Sequence, residues 1–234
     1  MNNNLPIHIA IIPDGNRHWA RERRLKPWDG HEQGAKNTEK ITREALKMGI
    51  KHLSFWGSSL ENLKKRPLRE RQELLNIYAK YFKKLIQSDD VRKNKARINI
   101  IGRWREQFPT KLKKILEEGI EKTKKYQNCF LNFFLAYNGD DEMIEAIRKI
   151  VASGVPVDKI SAKIIKDNLM TKDLPPVDLL IRTGGEPHLS VGFMMWDIAN
   201  AQMYFPEVNY PDFDEKEFRK AVEEYQRRER RHGK

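Results

Sequence analysis

Six short apolar runs divide the chain: residues 7–12 (IHIAII), 52–56 (HLSFW), 97–101 (RINII), 129–135 (CFLNFFL), 177–181 (VDLLI) and 202–205 (QMYF). Runs of this length, bounded by turn residues, read as strands. Between them lie longer segments with helical spacing, at about 33–48, 68–86, 110–125, 141–152, 161–170 and 214–230. The second of these sets Leu74, Leu75, Tyr78, Phe82, Leu85 and Ile86 along one broad face. Strand alternating with helix throughout predicts an α/β fold: a central, mostly parallel, six-stranded sheet with helices on both faces. There is no repeat and no long Gly/Ser linker, and "SGVPVD" and "DLPPVD" are loops too short to separate domains. Residues 1–234 therefore read as a single domain.

Charge narrows the partners. The formal net charge is +12, which fits an anionic partner: nucleic acid, an acidic membrane surface or a phosphorylated small molecule. The basic runs "RERRLK", "NLKKRPLRER" and "YQRRERRHGK" also read simply as solvated helix faces. No apolar run is long enough to span a bilayer, and "MNNNLPIHIA" lacks the charged start and long apolar stretch of a signal peptide. The single cysteine, Cys129, has no internal disulfide partner, and no Cys/His cluster has zinc spacing. A cytoplasmic protein is expected.

In a parallel α/β sheet the binding crevice lies beyond the carboxyl ends of the strands, and four motifs cluster there: "PDGNRHW", "GSSLENLKKRP", "AYNGDD" and "RTGGEPHLS". In the first, Gly15 lets backbone approach a ligand, and Asn16, Arg17 and His18 offer donors. The loop enters a helix, whose first N–H groups suit phosphate. Asp14 is the odd member, because phosphate repels a carboxylate unless a divalent cation bridges them; Mg²⁺, which takes few protein carboxylates plus phosphate oxygens, is the natural bridge. A strand-ending turn is the plainer reading of "DGN". In "RTGGEPHLS", Arg182 offers a bidentate fork, Gly184 and Gly185 free the backbone, and His188 and Ser190 add donors; a plain turn is again the alternative. The chain has no "GxxxxGK[ST]" loop and no "GxGxxG" after a strand. Ser59, Glu61, Asn62 and Arg66 set hydroxyl, carboxylate, amide and guanidinium side by side, as a proton relay or as ordinary helix capping by Ser58 or Ser59. His31, in "WDGHEQG", is on its own more often a structural histidine.

Taken together, "DGN..WA" (14–20), "GH..G" (30–34), "S.EN...RP" (59–67), "DLLIRTGGE" (178–186), "W.IA.A..YFP" (196–206), "PDF" (211–213) and the closing "RRERRHG" resemble the cis-prenyltransferases, the family of undecaprenyl diphosphate synthases. The resemblance implies condensation of isopentenyl diphosphate with an allylic diphosphate in cis, and it attributes the basic charge to two diphosphate substrates rather than to nucleic acid. It implies that Asp14 holds Mg²⁺ and assists departure of the allylic diphosphate, in a cradle of Gly15, Asn16, Arg17, His18 and His31 beside Trp19. It gives Arg182, His188 and Ser190 to isopentenyl diphosphate, and proton removal to Asn62 with Ser59, Glu61, Arg66 and His31 nearby. It further implies an apolar tunnel for the growing chain, walled by helix 68–86 and the phenylalanines of "FLNFFLAY". A homodimer follows in which Arg231 and Gly233 of an "RxG" signature complete the diphosphate site, with peripheral association at a membrane.

The chain departs from the family pattern at several contacts. Arg17-His18 stand where the family has Gly-Arg, and Lys26-Pro27-Trp28 stand where another Arg often precedes "GH". His188 replaces an Arg, Val191 is an extra residue, and Pro187 and Gln202 replace a metal-ligating His and a Glu. Leu63 replaces a Trp. Irregular, non-head-to-tail prenyl coupling and a non-catalytic partner subunit are the alternative readings, and retention of Asp14 argues against the second.

Overall fold

The computed structural model describes residues 5–228. Strands β1 (His8–Ile12), β2 (His52–Ser58), β3 (Ala96–Ile101), β4 (Cys129–Leu135), β5 (Leu179–Arg182) and β6 (Gln202–Tyr204) form one sheet in the order β3-β4-β2-β1-β5-β6, and every pairing is parallel. All six predicted strands are present within a few residues of their expected ends, and the sheet is wholly rather than mostly parallel.

The apolar runs are unbroken because both faces of the sheet are covered. Ile9, Ile11, Leu53, Phe55, Leu131 and Phe133 point to one side. There they meet four helices: α2 (Pro27–Met48), α4 (Leu68–Ile86), α7 (Thr110–Thr123) and α10 (Glu215–Arg227). Ala10, Ile12, Phe134 and Leu180 point to the other side, against Tyr137, Phe193, Met194 and Ile198. On that side Tyr137 donates to Glu142 of α8 (Gly139–Ala152), and Lys166 of α9 (Ala162–Asn168) pairs with Asp197. The short helices α1 (Asn16–Glu22), α3 (Leu60–Lys65), α5 (Asp89–Lys93) and α6 (Trp104–Gln107) complete the set.

Helix α2 begins six residues earlier than its apolar spacing predicts. Pro27 opens it, where a missing N–H does no harm, and the Asp29 carboxylate accepts from the Lys26 N–H at 2.9 Å. His31 is thereby placed on a helix that crosses the mouth of β1.

Candidate active site

The connection after β1 leads toward β2, while the connection after β5 leads the opposite way, toward β6. Adjacent strands whose connections diverge leave a crevice past their carboxyl ends. Asp14 stands just after β1, and Arg182 ends β5 opposite Ile12. Arg182 is 3% exposed. Its Nη2 donates to Asp14 Oδ2 at 2.7 Å and its Nη1 to the His188 carbonyl at 2.7 Å. The other Asp14 carboxylate oxygen accepts from the Gly15 N–H at 2.7 Å. Thr183 ties the Asp14 main chain down: its Oγ1 accepts from the Asp14 N–H at 3.0 Å and its hydroxyl donates to the Asp14 carbonyl at 2.8 Å. The aspartate is a fixed carboxylate with one edge turned outward, since its side chain remains 43% exposed.

Two close approaches set Asn16 beside it. Gly15 adopts φ +93, and a Cβ there would lie 2.2 Å from Asn209 Oδ1. On α2, a Cβ on Gly30 would lie 2.0 Å from the Asn16 carbonyl, and one on Gly34 would lie 2.1 Å from Asn16 Oδ1. These glycines, one helical turn apart, let α2 pack directly on the start of α1. Asn16 Nδ2 donates to the Pro13 carbonyl at 2.9 Å, while its Oδ1 is buried with no partner.

Across the crevice, two arginines and a histidine converge on a carboxylate that the sequence reading did not single out. Glu70 is 3% exposed. Its Oε1 lies 3.3 Å from Arg66, 3.5 Å from Arg17 and 3.4 Å from His31 Nε2. The contact with His31, reinforced by Arg66 and Arg17, holds the Glu70 carboxyl below the usual carboxylate range. Arg66 Nη1 lies closer to His31 Nε2, at 2.8 Å. A guanidinium has no lone pair, so Nε2 accepts from Arg66 when the ring proton sits on Nδ1 and donates to Glu70 when it sits on Nε2; the two contacts are alternatives. Burial pushes the His31 pKa down, against the pull of Glu70.

Two cavities meet here. The larger, of about 790 Å³, is lined by residues 14–18 together with His31, Asn62 and Arg66, so most of the predicted cradle is brought together. The second, of about 130 Å³, lies between α2, α4 and the sheet and is walled by Leu74, Ile77, Phe82, Leu85, Phe133 and Leu135. Pro13, Asn16, His31, Trp56 and Gly57 line both. Phe133 is the only phenylalanine of "FLNFFLAY" in that wall; Phe134 packs on the opposite face of the sheet.

Other predicted residues sit outside these cavities. Trp19 donates its indole N–H to Asp212 of the "PDF" motif at 2.8 Å, which anchors α1. Ser59 is fully buried and caps α3 by accepting from the Asn62 N–H at 2.9 Å, so the capping reading of its hydroxyl is the one present. Glu61 is exposed and pairs with Lys65 at 3.1 Å. His188 is exposed, 3.5 Å from Glu186, and Ser190 is half-buried on the same loop. Arg231 and Gly233 lie outside the described residues.

Among the described residues no group of three His, Cys, Asp or Glu side chains is arranged to hold a metal ion. Among the described residues Asp14 is the one carboxylate lining the larger cavity, and it already carries a guanidinium. Such a donor set fits Mg²⁺ that arrives with a diphosphate and takes most of its ligands from it. It does not fit a resident, all-protein site.

The fold and site thus define a doubly wound α/β protein with a cation-lined cavity opening onto an apolar one. Residues 12–233 match the family described as "Putative undecaprenyl diphosphate synthase". The chain is 37% identical over 234 residues to the tritrans,polycis-undecaprenyl-diphosphate synthase (geranylgeranyl-diphosphate specific) of Thermococcus kodakarensis, covering 98% of this chain and 88% of that protein. It is 38% identical over 229 residues to an isoprenyl transferase of Aquifex pyrophilus, covering 98% and 96%. Lavandulyl diphosphate synthase from Lavandula x intermedia, solved in complex with dimethylallyl diphosphate, superposes with a TM-score of 0.92 at 30% identity over 98% of this chain and 99% of that one. The chain belongs to the undecaprenyl diphosphate synthase family and is a cis-prenyltransferase. Among the described residues no helix is long and apolar enough to cross a membrane.

Proposed function

We propose that this enzyme condenses isopentenyl diphosphate with an allylic prenyl diphosphate to give a cis-polyprenyl diphosphate. The observation that carries the reading is the junction of the two cavities at Asn16, His31 and Trp56. An allylic diphosphate needs just this pairing, with an apolar channel for its chain and a cationic chamber for its head. The 130 Å³ space between α2 and α4 is the start of the tunnel, and it lengthens as side chains on the broad α4 face move apart.

Asp14, Gly15, Asn16, Arg17, His18 and His31 hold the allylic diphosphate, and Arg66, steadied by Glu70, faces it. When bound, Mg²⁺ neutralises charge on the departing diphosphate, and Asp14 is the residue that holds it. Arg182, His188 and Ser190 bind isopentenyl diphosphate, which requires Arg182 to turn from Asp14 toward the phosphate. Asn62 takes part in removing the proton after carbon–carbon bond formation. The protein works as a homodimer, with Arg231 and Gly233 completing the diphosphate site of the neighbouring subunit. It is cytoplasmic and associates peripherally with the membrane that receives its product.

The test is incorporation of radiolabelled isopentenyl diphosphate with and without Mg²⁺, using dimethylallyl, farnesyl and geranylgeranyl diphosphates as primers. Repeated, Mg²⁺-dependent additions to a longer primer are expected. A single product built from dimethylallyl diphosphate alone would replace this reading with irregular coupling, and no product with any primer would leave a binding subunit.

A further inference from the structure

The cations of α1 are sorted by face. Arg17 and Arg21, at i and i+4, share one side of α1; Arg24 follows the helix's closing turn, and all three line the larger cavity. Trp19 and Arg23 lie on the other side. There Arg23 stacks on the indole at 4.3 Å and pairs with Asp212 at 3.0 Å. Arg17 is partly offset by Glu70 at 3.5 Å. Arg21 and Arg24 are exposed, and among the described residues neither has a carboxylate within ion-pair distance.

The backbone at Arg24 is itself unfavourable. Helix α1 ends in a Schellman turn: the Leu25 N–H donates to the Ala20 carbonyl at 2.8 Å and the Arg24 N–H to the Arg21 carbonyl at 3.0 Å. The turn requires left-handed backbone at Arg24, where φ is +55. Gly49 after α2 and Gly154 after α8 take this conformation without a Cβ, whereas Lys95, Ala136, Val191 and Met194 share it with Arg24. Of the two basic residues that end helices this way, Arg24 and Lys95, only Arg24 lines the cavity. Like charges one turn apart, at Arg17 and Arg21, are unfavourable as well. Local strain and local repulsion therefore converge on side chains that face one chamber, the pattern expected where a ligand's charge offsets them.

From this we infer that Arg21 and Arg24 form an outer phosphate subsite, which takes the terminal phosphate of the diphosphate whose chain lies in the apolar cavity. The inference rests on the diphosphate reading above. The prenyl chain leaves through the junction at Asn16 and His31, so the far end of the diphosphate points along α1. Arg21 lies about 7.5 Å beyond Asn16 along the helix, at 1.5 Å rise per residue. Lys26, Pro27 and Trp28, which stand where an arginine often precedes the "GH" pair, supply no guanidinium there.

The experiment is calorimetric titration of inorganic pyrophosphate into the wild-type protein and into Arg21→Ala, Arg24→Gly and Arg23→Ala. Arg24→Gly should bind pyrophosphate about fivefold to tenfold more weakly, the loss of one charge-assisted contact. The same variant should melt about 2–4 °C higher, because the left-handed strain is gone. Arg21→Ala should lose comparable affinity, and Arg23→Ala little. Unchanged affinity in both cavity-facing variants, an equal loss in Arg23→Ala, or no pyrophosphate binding by the wild type would each overturn the subsite. A wild type that makes no prenyl product, yet loses pyrophosphate affinity in this pattern, would uphold the subsite and remove the proposed reaction.

Discussion

Asp14→Asn separates the structural from the chemical work of the crevice. The substitution keeps the shape of the side chain and the acceptor for the Gly15 N–H, and replaces the charged acceptor facing Arg182 with a neutral amide NH2. Its effect on stability follows from the burial of the two partners. Breaking a fully buried pair costs about 3–5 kcal/mol, whereas an exposed pair contributes about 0–1 kcal/mol. Arg182 is buried but the Asp14 side chain is 43% exposed, which places the loss at roughly 1–2 kcal/mol. In a chain of this size that lowers Tm by roughly 2–8 °C. Turnover should fall far more, by about 10²–10³, because the lost charge acts where the leaving group develops its own. A third readout isolates the metal. Without Mg²⁺ the variant should bind pyrophosphate more tightly than wild type, since a repelling carboxylate is gone and Arg182 is released. With Mg²⁺ the wild type should gain affinity and the variant should not. Near wild-type turnover, or an undiminished Mg²⁺ effect on pyrophosphate binding in Asp14→Asn, would refute the reasoning.

Two further outcomes test the supports of the site. Gly34→Ala places a methyl 2.1 Å from Asn16 Oδ1 and 3.4 Å from Tyr210; it should destabilise by about 1–3 kcal/mol through overpacking and raise KM for the allylic substrate, where an unchanged KM would remove Asn16 from the cradle. His8, fully buried between the Pro175 carbonyl at 2.8 Å and Ser54 Oγ at 2.7 Å, has its pKa pushed down to about 4 mainly by burial. Below pH 6.5 the unfolded chain takes up a proton that the folded one refuses, so stability falls by about 1.4 kcal/mol per pH unit, or about 3 kcal/mol by pH 4. Glu142 and Asp197, whose pKa values burial raises, act in the opposite sense. The measurement is therefore the difference between wild type and His8→Gln in urea unfolding from pH 7.5 to 4, and parallel profiles would contradict the assignment.

Much of the architecture was legible because the sheet is covered on both faces, so that each strand is a continuous apolar run rather than a weak alternation. The motifs at the ends of β1, β2 and β5 were legible for a related reason: polar and flexible residues stop such runs abruptly, and in a parallel sheet those stops share one edge. Helix α2 was begun near Gln33 in the sequence reading, although its first two turns, from Pro27, carry Gly30 and Gly34. In three dimensions they are contact points, chosen for the absence of a Cβ against Asn16. The short helices α5 and α6 were passed over since neither is long enough to show a period, and α1 and α3 were legible only from the residues at their starts. Ser59 and Glu61 carry no mark in the sequence that separates a cap and a surface ion pair from a proton relay.

Glu70 was the residue least accessible to sequence reasoning, and it explains most about the chamber. In the basic run "NLKKRPLRER" it reads as one solvated acid among five cations. Folding buries it on α4, opposite His31 on α2 and Arg17 on α1, residues 39 and 53 positions away. A cavity built only of cations would repel itself apart before a diphosphate arrived, and its side chains would have to be ordered at the moment of binding. One buried carboxylate prevents both. It offsets part of the charge of Arg17 and Arg66 and fixes their geometry. It also leaves Arg66 close enough to His31 for the imidazole to stay neutral. The chamber is thus preorganised around an internal anion at its wall, while Asp14 with Arg182 holds the opposite pole.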